Sequence, residues 1–277
     1  MIAVIFVTLF PFWYAVVGSF NHGADYMRGG VTFWPRRFTT ANYQVVLRER
    51  QIVDAYRITI LRTAIGTTAH IVFTGVFAYG FSRPYLRGRK AYATIGLITL
   101  FFSGGLIPIY LLYRSLGLLN NFLVYVVPGM FNFWNVLIFQ TFFREIPISI
   151  NESAKMDGAN EYTIFFRLIM PVSKPVFAAI ALFVAVWHWN SFFDAMVFTT
   201  SRSLQPLQLY LMRIIRTREA AANVASRAAE MMATQFEVNS TTIQLATIVV
   251  TALPIILLYP FLQKYFVKGL LIGSIKG

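Results

Sequence analysis

The sequence predicts an all-α membrane protein with six transmembrane helices, forming a single transmembrane domain over residues 1–277. Two observations carry this and a third excludes the alternative. Hydrophobic residues make up 57% of the chain and charged residues 13%, with a mean hydropathy of +0.61, whereas soluble domains carry about 25% charged residues. Apolar runs of roughly 18 residues or more, the length at which a helix crosses a bilayer core, recur at 2–20, 58–81, 91–113, 122–143, 176–198 and 241–266. These runs are too long and too uniformly apolar for barrel strands, which alternate over about ten residues.

The first run begins almost at Met1 with no Lys or Arg before it. A signal peptide needs a basic lead and a small-residue cleavage site, so this run reads as a retained helix. The second ends in a short loop, 82–90, that carries Arg83, Arg87, Arg89 and Lys90, whereas the comparable loop 114–121 carries only Arg114. By the positive-inside rule the first of these loops is cytoplasmic. Both termini, 82–90 and 144–175 then lie inside, with 22–57 and 199–240 outside, and every lysine falls on the inner side. The third run contains Ser103-Gly104-Gly105 and Pro108, read as close packing with a kink in preference to an unwound ligand site. The fourth and fifth runs flank a polar island, and the sixth leads to the C-terminus. The net charge of +13 reads first as topology and contact with anionic lipid.

Absent residues exclude whole classes of chemistry. With no cysteine there is no disulfide scaffold, thiolate metal site or thiol catalysis. His22, His70 and His188 are scattered, so no metal centre is expected, and His70 reads as packing. No phosphate-cradling G-x-x-x-x-G-K-[ST] loop occurs, so ATP chemistry has to come from a partner. Neither a nucleophile elbow nor a zinc-protease motif is present. The chain is expected to be no enzyme, to bind no cofactor itself and to have no nucleic-acid partner.

The island between the fourth and fifth runs, 144–175, includes NESAKMDGANEYTIFFRLIMPVSKP from Asn151 to Pro175. Asn151 or Ser149 is a candidate cap for a short helix over 152–159. The small residues Ser153, Ala154, Gly158 and Ala159 allow another backbone to come close, and Glu152 can pair with a partner's arginine. The competing reading is an ordinary loop in which Gly158 breaks a helix. The spacing Glu152, Ala154, Asp157-Gly158-Ala159, Leu168, Met170, Pro171 resembles the cytoplasmic EAA loop of ATP-binding-cassette (ABC) importer permeases, with Ser153, Leu168 and Met170 where that family more often has Ala, Ile and Leu.

Three further stretches are similar to carbohydrate-import, oligosaccharide-type members: WHWNSFFDAM at 187–196, PLQLYL at 206–211 and KYFVKGLLIGSIKG at 264–277. The resemblance implies a permease of a bacterial cytoplasmic (inner) membrane, working by alternating access. Its implied partners are two ABC ATPase subunits that bind ATP and Mg, a second homologous permease and an extracytoplasmic solute-binding protein. It assigns ATPase coupling to Glu152, Ser153, Ala154, Asp157, Gly158 and Ala159. It also implies a short cytoplasmic lead before the first helix, so the sequence reads as starting late or truncated.

Polar groups within spans mark a candidate path, because an unpaired polar group in hydrocarbon costs several kcal/mol. Asn132 and Asn135 share a helix face, while Trp187, Asn190 and Asp194 follow i, i+3, i+7 with His188 adjacent. At about 1.5 Å per residue Asn190 sits roughly 22 Å into the fifth span. Asn132, Asn135, Trp187, His188 and Asn190 are therefore candidate sugar contacts, the alternative being glue between helices. Leu207, Leu211, Ile214 and Ile215 form a stripe opposite Arg213, Arg216 and Arg218, suited to the membrane surface or to the binding protein.

The outer loops carry arginine and no lysine: Arg28, Arg36, Arg37, Arg48, Arg50 and Arg57, then Arg202, Arg213, Arg216, Arg218 and Arg227. Asp25, Glu49, Asp54, Glu219, Glu230 and Glu237 only partly offset them, so an acidic oligosaccharide is one reading and lipid or an acidic binding protein the other. The expected function is sugar translocation in an ABC importer. The alternatives are an ABC permease for another solute and, less favoured, a secondary transporter, which would show inverted repeats and more buried carboxylates than Asp194.

Overall fold

The computed structural model describes residues 1–224 and 238–274, and Arg227, Glu230, Glu237 and Lys276 lie outside them. Helices joined by turns and loops make up the described residues, with no strand among them and one isolated bridge pairing Asn21 with Phe38. Helices α1 (Ile2–Ser19), α2 (Gly23–Met27) and α3 (Ala41–Arg48) precede the long α4 (Arg50–Ser82). Next come α5 (Arg89–Phe101), α6 (Leu106–Ser115), a 3-10 turn at Phe122–Tyr125 and α7 (Phe133–Arg144). The chain continues through α8 (Ile148–Met156), α9 (Glu161–Val172) and α10 (Lys174–Asn190). It closes with α11 (Phe193–Phe198), α12 (Leu207–Val224) and α13 (Ser240–Ser274).

Hydropathy located the apolar segments but not their breaks. Two helices among the described residues are long and apolar enough to cross a bilayer, α4 and the Ser240–Leu257 part of α13, and up to four spans result if each bent pair counts as one. Helix α1 adds a shorter apolar stretch, Val4–Ser19. Six unbroken spans are therefore not seen. The expected span 91–113 splits into α5 and α6, which meet at 115°. At the break Gly105 has φ 84° and ψ 171°, a conformation essentially confined to glycine, so the preferred packing kink gives way to an unwound segment. The span 122–143 shortens to the twelve residues of α7, because Pro128-Gly129 precedes a fresh start at which the Asn132 side chain accepts from Asn135 N. The span 176–198 stops at Asn190, where Ser191 turns extended before α11.

The chain falls into two compact units, 1–59 with 201–257, and 60–200 with 258–277. In the first unit, buried side chains tie helix ends together. Asn42 donates to Ser19 O at 2.8 Å and to Asn21 O at 3.0 Å, and its own Oδ1 accepts from Thr242 at 2.7 Å. Asn239 caps α13, accepting from Thr242 N at 2.8 Å and donating to Gly23 O at 2.7 Å. Such a network holds a low-dielectric core rigidly because every member is satisfied. Tyr210 adds a bond to Glu49 Oε2 at 2.6 Å, and Tyr56 donates to Val250 O.

The second unit is organised around aromatic packing. Phe139, Phe143, Phe165 and Phe177 are nearly or fully buried, with Phe139 and Phe177 centroids 4.6 Å apart. Tyr79, Phe133, Val136, Ile164, Ile169 and Ile180 complete this core. α4, α7, α9 and α10 therefore meet around one apolar cluster, and the features treated below all lie in this unit.

Candidate functional site

A cavity of about 280 Å³ lies in the second unit, lined by α4, the 128–132 segment, α7 and α10. His70 reaches it from α4. His70 Nδ1 lies 2.6 Å from Gly129 O, and Nε2 lies 2.9 Å from Asn135 Nδ2. A carbonyl can only accept, so Nδ1 carries the proton and donates to Gly129, leaving Nε2 to accept from the Asn135 amide, a tautomer assigned from the network. The imidazole thus fixes the amide orientation and leaves Asn135 Oδ1 for other partners. Asn132 caps α7, its Oδ1 3.2 Å from Asn135 N, so the positive end of that helix forms part of the wall. Phe131, Phe183 and Trp187 present ring surface, the last two more than half exposed.

Three of the expected path residues, Asn132, Asn135 and Trp187, therefore share one cavity, and two do not. His188 is fully buried, packed on Gly66, where a Cβ would lie 2.5 Å from the ring, and neither ring nitrogen has a hydrogen-bond partner. Asn190 is the last residue of α10, exposed, and donates to Val186 O at 2.9 Å. The i, i+3 spacing from Trp187 loses its meaning where the helix ends. His70, expected to serve only in packing, lines the cavity instead.

A second feature was only half seen in the sequence, which marked Asp194 but not its partner. Arg62, inside the second apolar run, is fully buried, and its Nη2 lies 2.5 Å from Asp194 Oδ2. Nη1 donates to Ser191 O at 3.2 Å, and the guanidinium stands 4.4 Å from the Tyr125 ring centroid. Asp194 Oδ1 in turn accepts from Ala195 N at 2.8 Å and from Ser191 Oγ at 3.1 Å. The pair therefore fastens the break after α10 to α4.

The polar island forms the helix α8, which starts after Pro147 rather than at an Asn151 cap and ends at Met156 rather than Ala159. Asn151 is instead buried within it. Gly158 stops the helix: its φ of +79° lies in the left-handed region, and the bonds Ala159 N to Ala154 O (2.9 Å) and Gly158 N to Lys155 O (3.0 Å) close the end. Of the expected coupling residues, Glu152, Ser153, Asp157 and Gly158 are exposed and Ala159 is half-buried. Ala154 is buried against this chain's own core. Met156, which sequence reasoning did not select, projects 88% exposed from the same helix.

After the turn, Asn160 caps α9 by accepting from Thr163 N at 2.8 Å, and Glu161 opens that helix. Its Oε2 accepts from Tyr79 at 2.6 Å, and its Oε1 from Tyr85 at 2.7 Å and from Lys155 Nζ at 2.7 Å. Burial pushes the Glu161 pKa up, but the hydrogen bonds from Lys155, Tyr79 and Tyr85 outweigh it and hold the carboxyl at about 2. The bonds to Glu161 and Tyr85 raise the Lys155 pKa. A depressed carboxylate stabilises the fold above its ordinary value near 4.5 and loses that contribution as pH falls through about 2, so this cluster is intact across the physiological range.

Residues 71–272 match the family described as binding-protein-dependent transport system inner membrane component. The chain is 35% identical to Protein LplC of Bacillus subtilis, over 98% of this chain and 90% of that protein. It is 33% identical to the polygalacturonan/rhamnogalacturonan transport system permease protein YtcP of the same organism, over 98% and 93%. It is also similar to a chain in the crystal structure of a bacterial ABC transporter involved in the import of the acidic polysaccharide alginate. That similarity has a TM-score of 0.86 and 33% identity, covering 95% of this chain and 92% of the other.

Proposed function

The chain belongs to the family of binding-protein-dependent transport system inner membrane components, and from that premise we infer that it is the sugar-translocating permease subunit of an ABC importer. The substrate is an oligosaccharide, and an acidic one. The observation that carries the reading is the cavity in which Trp187 and Phe183 offer ring faces beside the amides of Asn132 and Asn135. Sugar rings have apolar faces that stack and hydroxyl edges that bond amides, so this lining suits them. The capped amino end of α7 in the wall favours a uronate carboxylate without a buried cation. Support for acidity also comes from relatives named for polygalacturonan/rhamnogalacturonan and for alginate, and from exposed Arg28, Arg37, Arg48 and Arg57 in the first outer loop.

One observation favours a neutral oligosaccharide instead: no Lys or Arg is among the residues lining the cavity. A relative at 25% identity is named for arabinooligosaccharides.

The chain supplies the path and the docking surface, and performs no covalent chemistry. Of two ATPase subunits binding ATP and Mg, one docks on the exposed face of α8 and the turn that closes it, through Glu152 and Ser153 of the helix and Asp157 and Gly158 of the turn. A second permease completes the path, and an extracytoplasmic binding protein delivers the sugar. The termini, the 82–90 loop and α8 face the cytoplasm, in keeping with Arg83, Arg87, Arg89 and Lys90 in that short loop. ATP-driven closure of the ATPases moves α8 and exchanges an inward-open for an outward-open cavity.

The test is uptake by the assembled complex of oligogalacturonate and of a neutral oligosaccharide, each at low and physiological salt. Uronate uptake that strengthens at low salt is expected. Uptake of the neutral sugar alone, at any salt, refutes the acidic substrate while leaving the permease role in place.

A further inference from the structure

We infer that Glu161 is a positioning residue for coupling, whose carboxylate clamps the docking helix α8 to the cytoplasmic end of α4, so that movement of α8 reaches the helix carrying His70 into the cavity. This rests on the reading of α8 as the ATPase-docking element.

The argument begins with chain connectivity. α8 is joined covalently to α9, and beyond it to α10, but only through the Gly158 turn, where the left-handed residue has no side chain and nothing within 4 Å of its Cβ position. Lys155 precedes that turn and Glu161 follows it, so their 2.7 Å contact bridges the corner. α4 is distant in sequence, and its polar link to this corner is Tyr79, which is buried and donates to Glu161 at 2.6 Å. Tyr85, in the loop after α4, adds a 2.7 Å bond to the other carboxylate oxygen. One carboxylate thus gathers α8, α9, α4 and the following loop. Tyr79 and His70 lie nine residues apart on one helix, about 14 Å at 1.5 Å per residue, so a displacement at Tyr79 is carried rigidly to the cavity wall.

The members differ in weight. Lys155 and Glu161 are 43% and 44% exposed at their side chains, and an ion pair that open is worth little on its own. The tyrosine bonds to an ionised oxygen are short and charge-assisted, and the one from buried Tyr79 is shielded from water. Tyr79 and Glu161 therefore dominate, and Lys155 is secondary.

The experiment uses the complete importer in proteoliposomes, with Glu161→Ala, Glu161→Gln, Tyr79→Phe and Lys155→Met. Losing a hydrogen bond to a charged group corresponds to roughly a tenfold effect, so Glu161→Ala is expected to cut sugar uptake about tenfold with basal ATP hydrolysis and assembly retained. Tyr79→Phe follows it, Glu161→Gln retains more uptake than Glu161→Ala because its amide oxygen still accepts, and Lys155→Met costs less than about twofold. A readout that a merely structural role would not move is the distance between spin labels at Met156→Cys and Val72→Cys. In the otherwise wild-type chain it stays constant between nucleotide-free and ATP-bound states, and with Glu161→Ala or Tyr79→Phe it changes between them. Glu152→Ala serves as the control for docking. If Glu152→Ala uncouples while Glu161→Ala transports normally and the label distance stays constant, the clamp is refuted and the docking role stands. If Glu152→Ala also couples normally, the docking role itself fails.

Discussion

Replacing Asp194 by Asn should destabilise the permease far more than its surroundings suggest, because it strands a cation. Asn keeps the size of Asp and can still accept from Ala195 N, so the start of α11 is preserved. What disappears is the negative charge 2.5 Å from a guanidinium that is fully buried. Breaking one side of a buried ion pair costs about 3–5 kcal/mol, most of it from the uncompensated charge left behind. Asp194 is 20% exposed at its side chain, and Arg62 keeps Ser191 O and the Tyr125 ring, so the lower end, about 3 kcal/mol, applies. For a domain of this size that corresponds to a fall of about 5–10 °C in melting temperature, readable by thermal denaturation of the purified protein in detergent. The double variant Arg62→Met with Asp194→Asn removes the stranded cation and should recover most of the loss, since an apolar side chain of similar length often replaces a buried charge without penalty. A fall of less than about 2 °C for Asp194→Asn, or a double variant no more stable than the single one, would mean that no stranded charge limits stability at this site.

Because the chain has no cysteine, single cysteines at exposed Ser149 and Ser203 should react with impermeant reagents from opposite sides of the membrane, and labelling of both from one side would overturn the orientation. Glu152→Ala should leave the permease inserted while cutting transport and substrate-stimulated ATP hydrolysis together. Gly158→Leu should do the same through the backbone, since a left-handed conformation costs a side-chain-bearing residue about 1–2 kcal/mol, and full coupling in both variants would mean that α8 does not receive the ATPase.

Helical class, the position of the apolar segments and a short helix in the polar island were legible because each is written in local composition. Glu152, Asp157 and Gly158 stood out as acidic and small residues in an apolar chain, and Asn132, Asn135 and Trp187 as polar or amphipathic groups within it. Most breaks were illegible because hydropathy averages over a window. The Ser103-Gly104-Gly105 run was marked by its glycines but read as a packing kink, while Pro128-Gly129 and Ser191 change the backbone without lowering the mean enough to be noticed. Long-range pairing was illegible for a different reason. Arg62 and Asp194 are 132 residues apart, and Tyr79 and Glu161 are 82, so neither pair produces a periodic signal. His70 was passed over since a lone histidine in an apolar run has no local mark that separates packing from the orientation of a neighbouring amide. Ala154 was assigned outward by the small-residue pattern, whereas a small residue serves equally well against the chain's own core.

If the cavity beside α7 and α10 carries the sugar, its lining must set the rate of uptake. Labelled oligogalacturonate is supplied to proteoliposomes holding the complete importer, with wild type compared to Trp187→Ala and Asn135→Leu. Each variant should lose about tenfold or more in uptake, as expected for removal of a stacking face or an amide contact, with assembly and basal ATP hydrolysis unchanged. Wild-type uptake in both variants would place the sugar elsewhere.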